Sequence, residues 1–321
     1  MPRFLVISLV SLTVLVSQIW NTWPDEYVHL IFCDVGQGDA ILITSGFTQL
    51  LIDGGRGDQV LSCLEENLPF FDRNIEVVIA THADADHIGG LDEVLDKYFV
   101  SQVFTTRFVK DSSSFFEFKQ AIAEEISEGA VLKKPILGQQ IGFSQDQEPK
   151  KWFAQPVRPL TTFTFLSPQV DQVAMSIENQ TKTETNLSDV DDFFDSKLIA
   201  DQTYNDASIV LFLQIGRIRV LLMGDLELTG ELALVDANML HQIDILKVGH
   251  HGSKTSSSAD FIEIVRPEIS VISVGKNNNF NHPSLEVMNT LMQFDGRVLR
   301  TDEQGTIHLT SDGDNYWLTD K

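Results

Sequence analysis

The chain runs to 321 residues, 43% of them hydrophobic and 9% aromatic, which is enough to bury the core of one large α/β domain and too apolar for a disordered chain. Against 23 basic residues stand 46 acidic ones, a formal net charge of -23. That field disfavours a non-specific binder of DNA or of anionic membranes, and leaves room for an enzyme whose bound cations override it locally, a nuclease included.

In chain order, residues 1–23 come first, with Arg3 ahead of an uncharged apolar run from Phe4 to Val16. This reads as a signal peptide or a single membrane anchor, with the remaining domain, 24–321, exported: periplasmic or otherwise extracytoplasmic. The run is shorter than the roughly 20 residues a comfortable span needs, and a hydrophobic first strand of the domain is the structural alternative. Three strand-like runs follow, VHLIFCDV, AILIT and QLLIDGG, separated by Gly-bearing turns. Cys33 lies in the first run and Cys63 in a helix expected over 58–68. Two buried free thiols is the plain reading, with one disulfide as the alternative in an exported chain.

A β-branched strand, EVVIAT, ends at Thr81, and a helix is expected over 89–97. Beyond it, 98–204 is less regular. FFEFKQAIAEEI is helical in pattern, 140–160 is rich in Gln and Pro, and 176–206 is polar, with Asp189, Asp191, Asp192 and Asp195. We read 176–206 as a solvated surface insertion; a calcium loop fits worse, because the acids lack regular alternation and a central Gly. ASIVLFLQI and RIRVLLMGD then form a hairpin turning at Gly216. Helical and strand patterns alternate from there: LTGELALVD, IDILKVG, ADFIEIV, ISVISVG, SLEVMNTLMQF, RVLRT and GTIHLT. Two halves, each opening on Gly-punctuated strands, point to an α/β fold in which two sheets pack together and helices cover them.

The chemistry concentrates at the ends of these strands. His82, Asp84, Asp86 and His87 fall within six residues, directly after EVVIAT and ahead of Gly89 and Gly90. In a strand-end loop all four side chains can turn inward around a metal ion, and the His–carboxylate mixture suits Zn2+, Mn2+ or Fe better than Mg2+, which favours an all-oxygen site. Packed as a mere surface cap, they would repel or demand buried partners. Asp225 ends the strand VLLMG as a carboxylate able to bridge two ions, and His250 and His251 end the strand ILKV. One of that histidine pair completes the coordination. We assign His250 as ligand and His251 as an oxyanion-stabilising or proton-transferring partner, with the reverse order open. His282, in a Pro-fixed loop, takes a substrate-side role or a local structural one. Asp53, and less specifically Asp34 and Asp39, could hold the outer nitrogen of a ligating histidine. His29, His241 and His308 lack partners at ligand spacing.

Taken together, DVGQGDAILI, LLIDGG, THADADHIGG, NDASIVL, LLMGD, LKVGHHGS and NFNHPS resemble the metallo-β-lactamase superfamily, and within it the hydrolase domain of ComEC-type DNA-internalisation proteins. The resemblance runs from Val28 to about Leu309. It implies an αββα four-layer sandwich, one or two divalent ions, Zn or Mn, and hydrolysis by water activated on the metal. His82, Asp84, Asp86 and His87 fall on the superfamily's H-x-H-x-D-H, with Asp84 where His is usual and Asn205 where a further His ligand is common. The metal set is therefore expected to be His82, Asp84, Asp86, His87, Asp225 and His250, and the catalytic set Asp86, His251 and His282. DNA or another phosphodiester is the expected substrate. The alternatives are another ester or amide, such as a phosphorylcholine ester or a β-lactam, and a non-enzymatic binding module. Asp84 and Asn205 argue against a β-lactam.

Overall fold

The structure is a computed structural model that describes residues 23–143, 159–167, 190–194, 204–294 and 296–319. Strands β1 (Val28–Phe32), β2 (Ile41–Ser45) and β3 (Thr48–Ile52) form an antiparallel meander. It continues in parallel through β4 (Asn74–Ala80), β5 (Phe99–Thr105) and β6 (Val131–Lys133). The second half repeats this plan. Strands β7 (Gln140–Phe143), β8 (Thr161–Phe165), β9 (Leu211–Ile215) and β10 (Ile218–Leu222) are antiparallel. Strands β11 (Ile245–Lys247), β12 (Ile269–Ile272) and β13 (Arg297–Arg300) extend that sheet in parallel. The chain then crosses back: β14 (Ile307–Ser311) pairs with β1, and β15 (Tyr316–Leu318) with β14. Among the described residues one sheet thus has eight strands and the other seven.

Period-two side-chain alternation sorts the strand residues into three cores. Leu30, Phe32, Ile41, Ile43, Leu50, Ile52, Val77 and Ile79 face Phe163, Phe165, Leu211, Leu213, Val220 and Leu222 across the gap between the sheets. Their neighbours Ile31, Leu42, Leu51 and Val78 point the other way, against the helices Gln59–Asn67, Leu91–Lys97 and Ser113–Glu128. On the far side, Leu221, Met223 and Leu246 pack on Leu228–Asp236, Ala259–Val265 and Leu285–Met292. Two mixed sheets face to face, each covered outside by helices, make the α/β sandwich expected from the sequence.

Several expectations need correction. Strands β5 to β8 lie in the stretch read as irregular, and a one-turn helix, Ala85–Ile88, opens inside the polar motif that was read as loop. Cys33 and Cys63 are not free thiols: they form a disulfide between the end of β1 and the helix Gln59–Asn67. The expectation of a membrane anchor is corrected, because no helix among the described residues is long and apolar enough to cross a membrane. The segment 1–22 on which that expectation rested, and most of 176–206, lie outside the described residues.

Candidate metal centre

Most residues of the site follow the C-terminal end of a parallel strand, where open α/β sheets gather their ligand-binding loops. Asp53 follows β3; His82 and His87 follow β4; Asp225 follows β10; His250 and His251 follow β11; His282 follows β12. The Gly-rich turn after β1 packs against this cluster through its backbone. Asp39 N–H donates to the Asp86 carbonyl at 3.1 Å, and Gly55 N–H to the Asp39 carbonyl at 2.7 Å. A Cβ on Gly38, whose φ is +137°, would sit 2.1 Å from the Asp86 carbonyl oxygen, so only glycine lets the two loops touch. After β11 the chain bends through two consecutive left-handed residues, His250 (φ 44°) and His251 (φ 53°). Such backbone costs about 1–2 kcal/mol per residue and persists where surrounding structure holds it.

Hydrogen bonding fixes which ring nitrogen each histidine turns inward. Thr81 Oγ1 donates to Asp53 Oδ2 at 2.7 Å, which leaves it to accept from His82 Nδ1 at 3.0 Å. His87 Nδ1 donates to Asp53 Oδ2 at 2.7 Å, and His251 Nδ1 to the Ser273 carbonyl at 2.9 Å. All three therefore present Nε2 to the interior, and all three converge on Asp225. Nε2 of His87 lies 3.2 Å from Asp225 Oδ1, while those of His251 and His82 lie 3.5 and 3.9 Å from Oδ2. Asp86 Oδ2 stands 3.7 Å from His251 Nε2.

These are the separations a shared ion would leave. Ligands about 2.0–2.1 Å from a tetrahedral Zn2+ sit roughly 3.4 Å from one another. Among the described residues, Nε2 of His82, His87 and His251 and Oδ1 of Asp225 are buried yet find no hydrogen-bond partner. Native interiors rarely tolerate such orphans, and a divalent cation resolves four at once. Four overlapping sets of donors result among the described residues: His82, His87 and Asp225; Asp86, His87 and His251; Asp39, Asp53 and His87; and Asp39, Asp225 and His251.

The electrostatics match a cluster built for cationic charge. Burial would raise Asp225, but His251, His87 and His82 hold it well below the carboxylate range. Burial would lower His87, yet Asp225 and Asp53 outweigh it and hold its pKa well up; His251 is raised against burial by Asp225 and Asp39. His82 falls to about 4 through burial and the neighbouring His87. His282 also falls to about 4, through burial and then His250 and His251. Lys247, fully buried, pairs with Asp39 and donates to the Gly224 carbonyl at 3.3 Å.

Not every residue singled out in the sequence joins the cluster. Asp84 turns aside to Lys110, 2.6 Å away. His250 stands at the solvent side, its Nδ1 2.9 Å from Glu227 Oε1 and its Nε2 3.9 Å from Asp225. Asn205 Nδ2 donates to the same Glu227 oxygen at 3.0 Å. His282 packs its ring 5.5 Å from that of His250, centroid to centroid. The sequence motifs assign no role to Glu227, Lys247, Ser273 or Ser208, whose Oγ accepts from the Asp225 N–H at 3.2 Å. Lys247 alone carried a signal, as a charged residue inside a buried strand.

Comparison with known proteins adds lineage to this geometry. The family model described as "Metallo-beta-lactamase superfamily" matches residues 33–107 and 144–276. "ComE operon protein 3" of Bacillus subtilis is 29% identical over 292 residues, covering 85% of this chain and 32% of that protein. "Recombination protein 2" of Haemophilus influenzae is 27% identical, covering 86% and 28%. "Competence protein ComA" of Neisseria gonorrhoeae is 25% identical, covering 89% and 33%. The chain spans about a third of the length of these curated relatives.

Proposed function

This chain belongs to the metallo-beta-lactamase superfamily and is a metal-dependent hydrolase with a divalent-metal cofactor, and we propose that the bond it breaks is a phosphodiester, with DNA as the first candidate substrate. The observation that carries the reading is the convergence of three imidazole Nε2 atoms on one buried carboxylate, Asp225, with none of their hydrogen bonds made. Relatives named for competence and recombination support DNA, and the ComEC-type resemblance of the motifs points the same way.

His82, His87 and Asp225 would hold one ion, and Asp86 and His251 would supply donors for a second. Asp53 and the Ser273 carbonyl keep His87 and His251 in the tautomer that presents Nε2. When bound, a divalent ion supplies Lewis acidity, lowering the pKa of water toward neutrality and offsetting charge on phosphoryl oxygens. Asp86, part-exposed at the mouth of the cluster, orients the attacking water and accepts its proton. His282, neutral at physiological pH because its pKa falls to about 4, keeps an N–H to donate to the developing negative oxygen. His250, steadied by Glu227, lines the solvent side where substrate enters.

The test is a substrate panel with Mn2+ and with Zn2+: single-stranded DNA, bis(p-nitrophenyl) phosphate, a phosphorylcholine ester and a chromogenic cephalosporin. Cleavage of the first two and not the last two is expected. Turnover confined to the phosphorylcholine ester or the cephalosporin overturns the phosphodiester assignment and leaves the metallohydrolase intact.

A further inference from the structure

Beside the metal centre, the loop after β12 carries an aromatic side chain that the hydrolytic machinery does not use. Phe280 is 56% exposed. Single exposed hydrophobics are ordinary on protein surfaces. The backbone that carries this one is anchored by hydrogen bonds. Asn278 Oδ1 accepts from the N–H groups of Phe280 and His282, at 3.1 and 3.0 Å. Asn278 Nδ2 donates to the carbonyls of Gly275 and His282, at 3.1 and 2.7 Å. Asn277 and Asn281, at φ 59° and 57°, bend the backbone on either side of Phe280. Its ring lies 5.7 Å from that of His282, the planes inclined by 30°, and His282 in turn meets His250. Leu285, three residues after His282 in sequence, is 76% exposed.

Two lysines complete this rim. Lys276 opens the same loop, and Lys254 lies on the adjoining one, next to Thr255, whose hydroxyl is 3.4 Å from His250 Nδ1. Both are exposed, and neither enters an ion pair among the described residues, in a chain whose net charge is -23. Tracking duplex DNA takes many phosphate contacts, which this charge balance opposes. Stacking on an aromatic face needs no cations, accepts any base, and requires that the base be unpaired.

We propose that Phe280 is a stacking platform for an unpaired nucleobase next to the scissile phosphodiester, with Lys254 and Lys276 meeting the flanking phosphates, so that the substrate is single-stranded nucleic acid. The inference rests on the phosphodiesterase reading above and gives that site its strand preference. Phe280 binds and orients substrate; it takes no part in the bond-breaking step.

The experiment uses Mn2+-loaded protein and two fluorescein-labelled single-stranded oligomers of equal length and charge, oligothymidylate and its abasic counterpart. Phe280→Ala is expected to raise KM for oligothymidylate about tenfold, the scale of one lost base stack, with kcat and the abasic oligomer unaffected. Phe280→Trp is expected to restore KM. Its added indole emission, measured against wild type without metal, should be quenched by oligothymidylate and not by the abasic oligomer. Because the ring is exposed, the melting temperature of Phe280→Ala should match wild type. An unchanged KM in Phe280→Ala, or equal losses on both oligomers, overturns the platform and leaves the phosphodiesterase standing. Failure of wild type to cleave either oligomer, with the panel's diester also untouched, removes both.

Discussion

At the scale of single residues, the centre is organised by atoms behind the metal-facing nitrogens. Asp53 accepts from Thr81 N, Thr81 Oγ1 and His87 Nδ1, so one buried carboxylate sets both the strand end and an imidazole. Asp53→Asn keeps the shape and removes the charge, and a cost of about 10–100-fold in metal affinity is expected, read by competition with a chelating dye. Acidity works on the Nε2 atoms themselves. His87 and His251 have raised pKa values, so without an ion they keep protons above their ordinary 6.5. The stability those protons lend the ion-free fold is complete below 6.5 and fades as pH rises through the raised values. A divalent ion replaces them, so its affinity moves the opposite way, weakest in acid and strengthening through the same window. Calorimetry in buffers of different ionisation enthalpy should show net proton release on loading near neutrality, diminishing as pH rises. His82, with its pKa near 4, adds none there. The clustered spacing of His82, Asp86 and His87 was legible in the sequence. The Ser273 carbonyl was not, because a backbone acceptor leaves no mark on residue type, and Glu227 and Lys247 reach the site only through folding.

At the scale of elements, tight backbone contacts bind the loops of the site to one another. The turn after β1 touches Asp86 through Gly38, with no room for a Cβ. Gly38→Ala should displace Asp86, lower the melting temperature and weaken metal binding together, whereas a substitution at solvent-facing Lys254 should leave the melting temperature unchanged. The Cys33–Cys63 disulfide ties the start of this turn to the helix Gln59–Asn67. Reduction should cost about 2–4 kcal/mol of stability, measured as a shift in the denaturant midpoint. The strands before the polar motif were readable because their apolar residues are nearly continuous. TTFTF was passed over although it alternates strictly, with Phe163 and Phe165 turned into the core between the sheets. FVSQVFT was obscured by Ser101 and Gln102, which break its apolar run between the buried Val100 and the buried stretch from Val103 to Thr105. The disulfide could not be deduced, since pairing depends on two elements meeting across a core.

At the scale of the whole molecule, two half-folds of the same plan set their parallel strand ends side by side, so that ligands 143 residues apart in sequence, His82 and Asp225, come to face one another. The antiparallel return of β14 onto β1 ties the end of the second half to the first sheet. Charge is the other global property. With a net charge of -23, and with two phosphates met by Lys254 and Lys276, single-strand affinity should fall only gently with salt, with a log–log slope of about -1.4. A steeper slope would require a basic track that the proposed rim does not contain.

The most direct measurement pairs metal content with hydrolysis of bis(p-nitrophenyl) phosphate in wild type and in Asp225→Ala and His87→Ala. Wild type should retain one or two divalent ions and cleave the diester, and each variant should lose both properties while keeping the circular dichroism of the folded chain. Undiminished metal and turnover in the variants, or a wild type that never takes up metal, would contradict a hydrolytic centre assembled around Asp225.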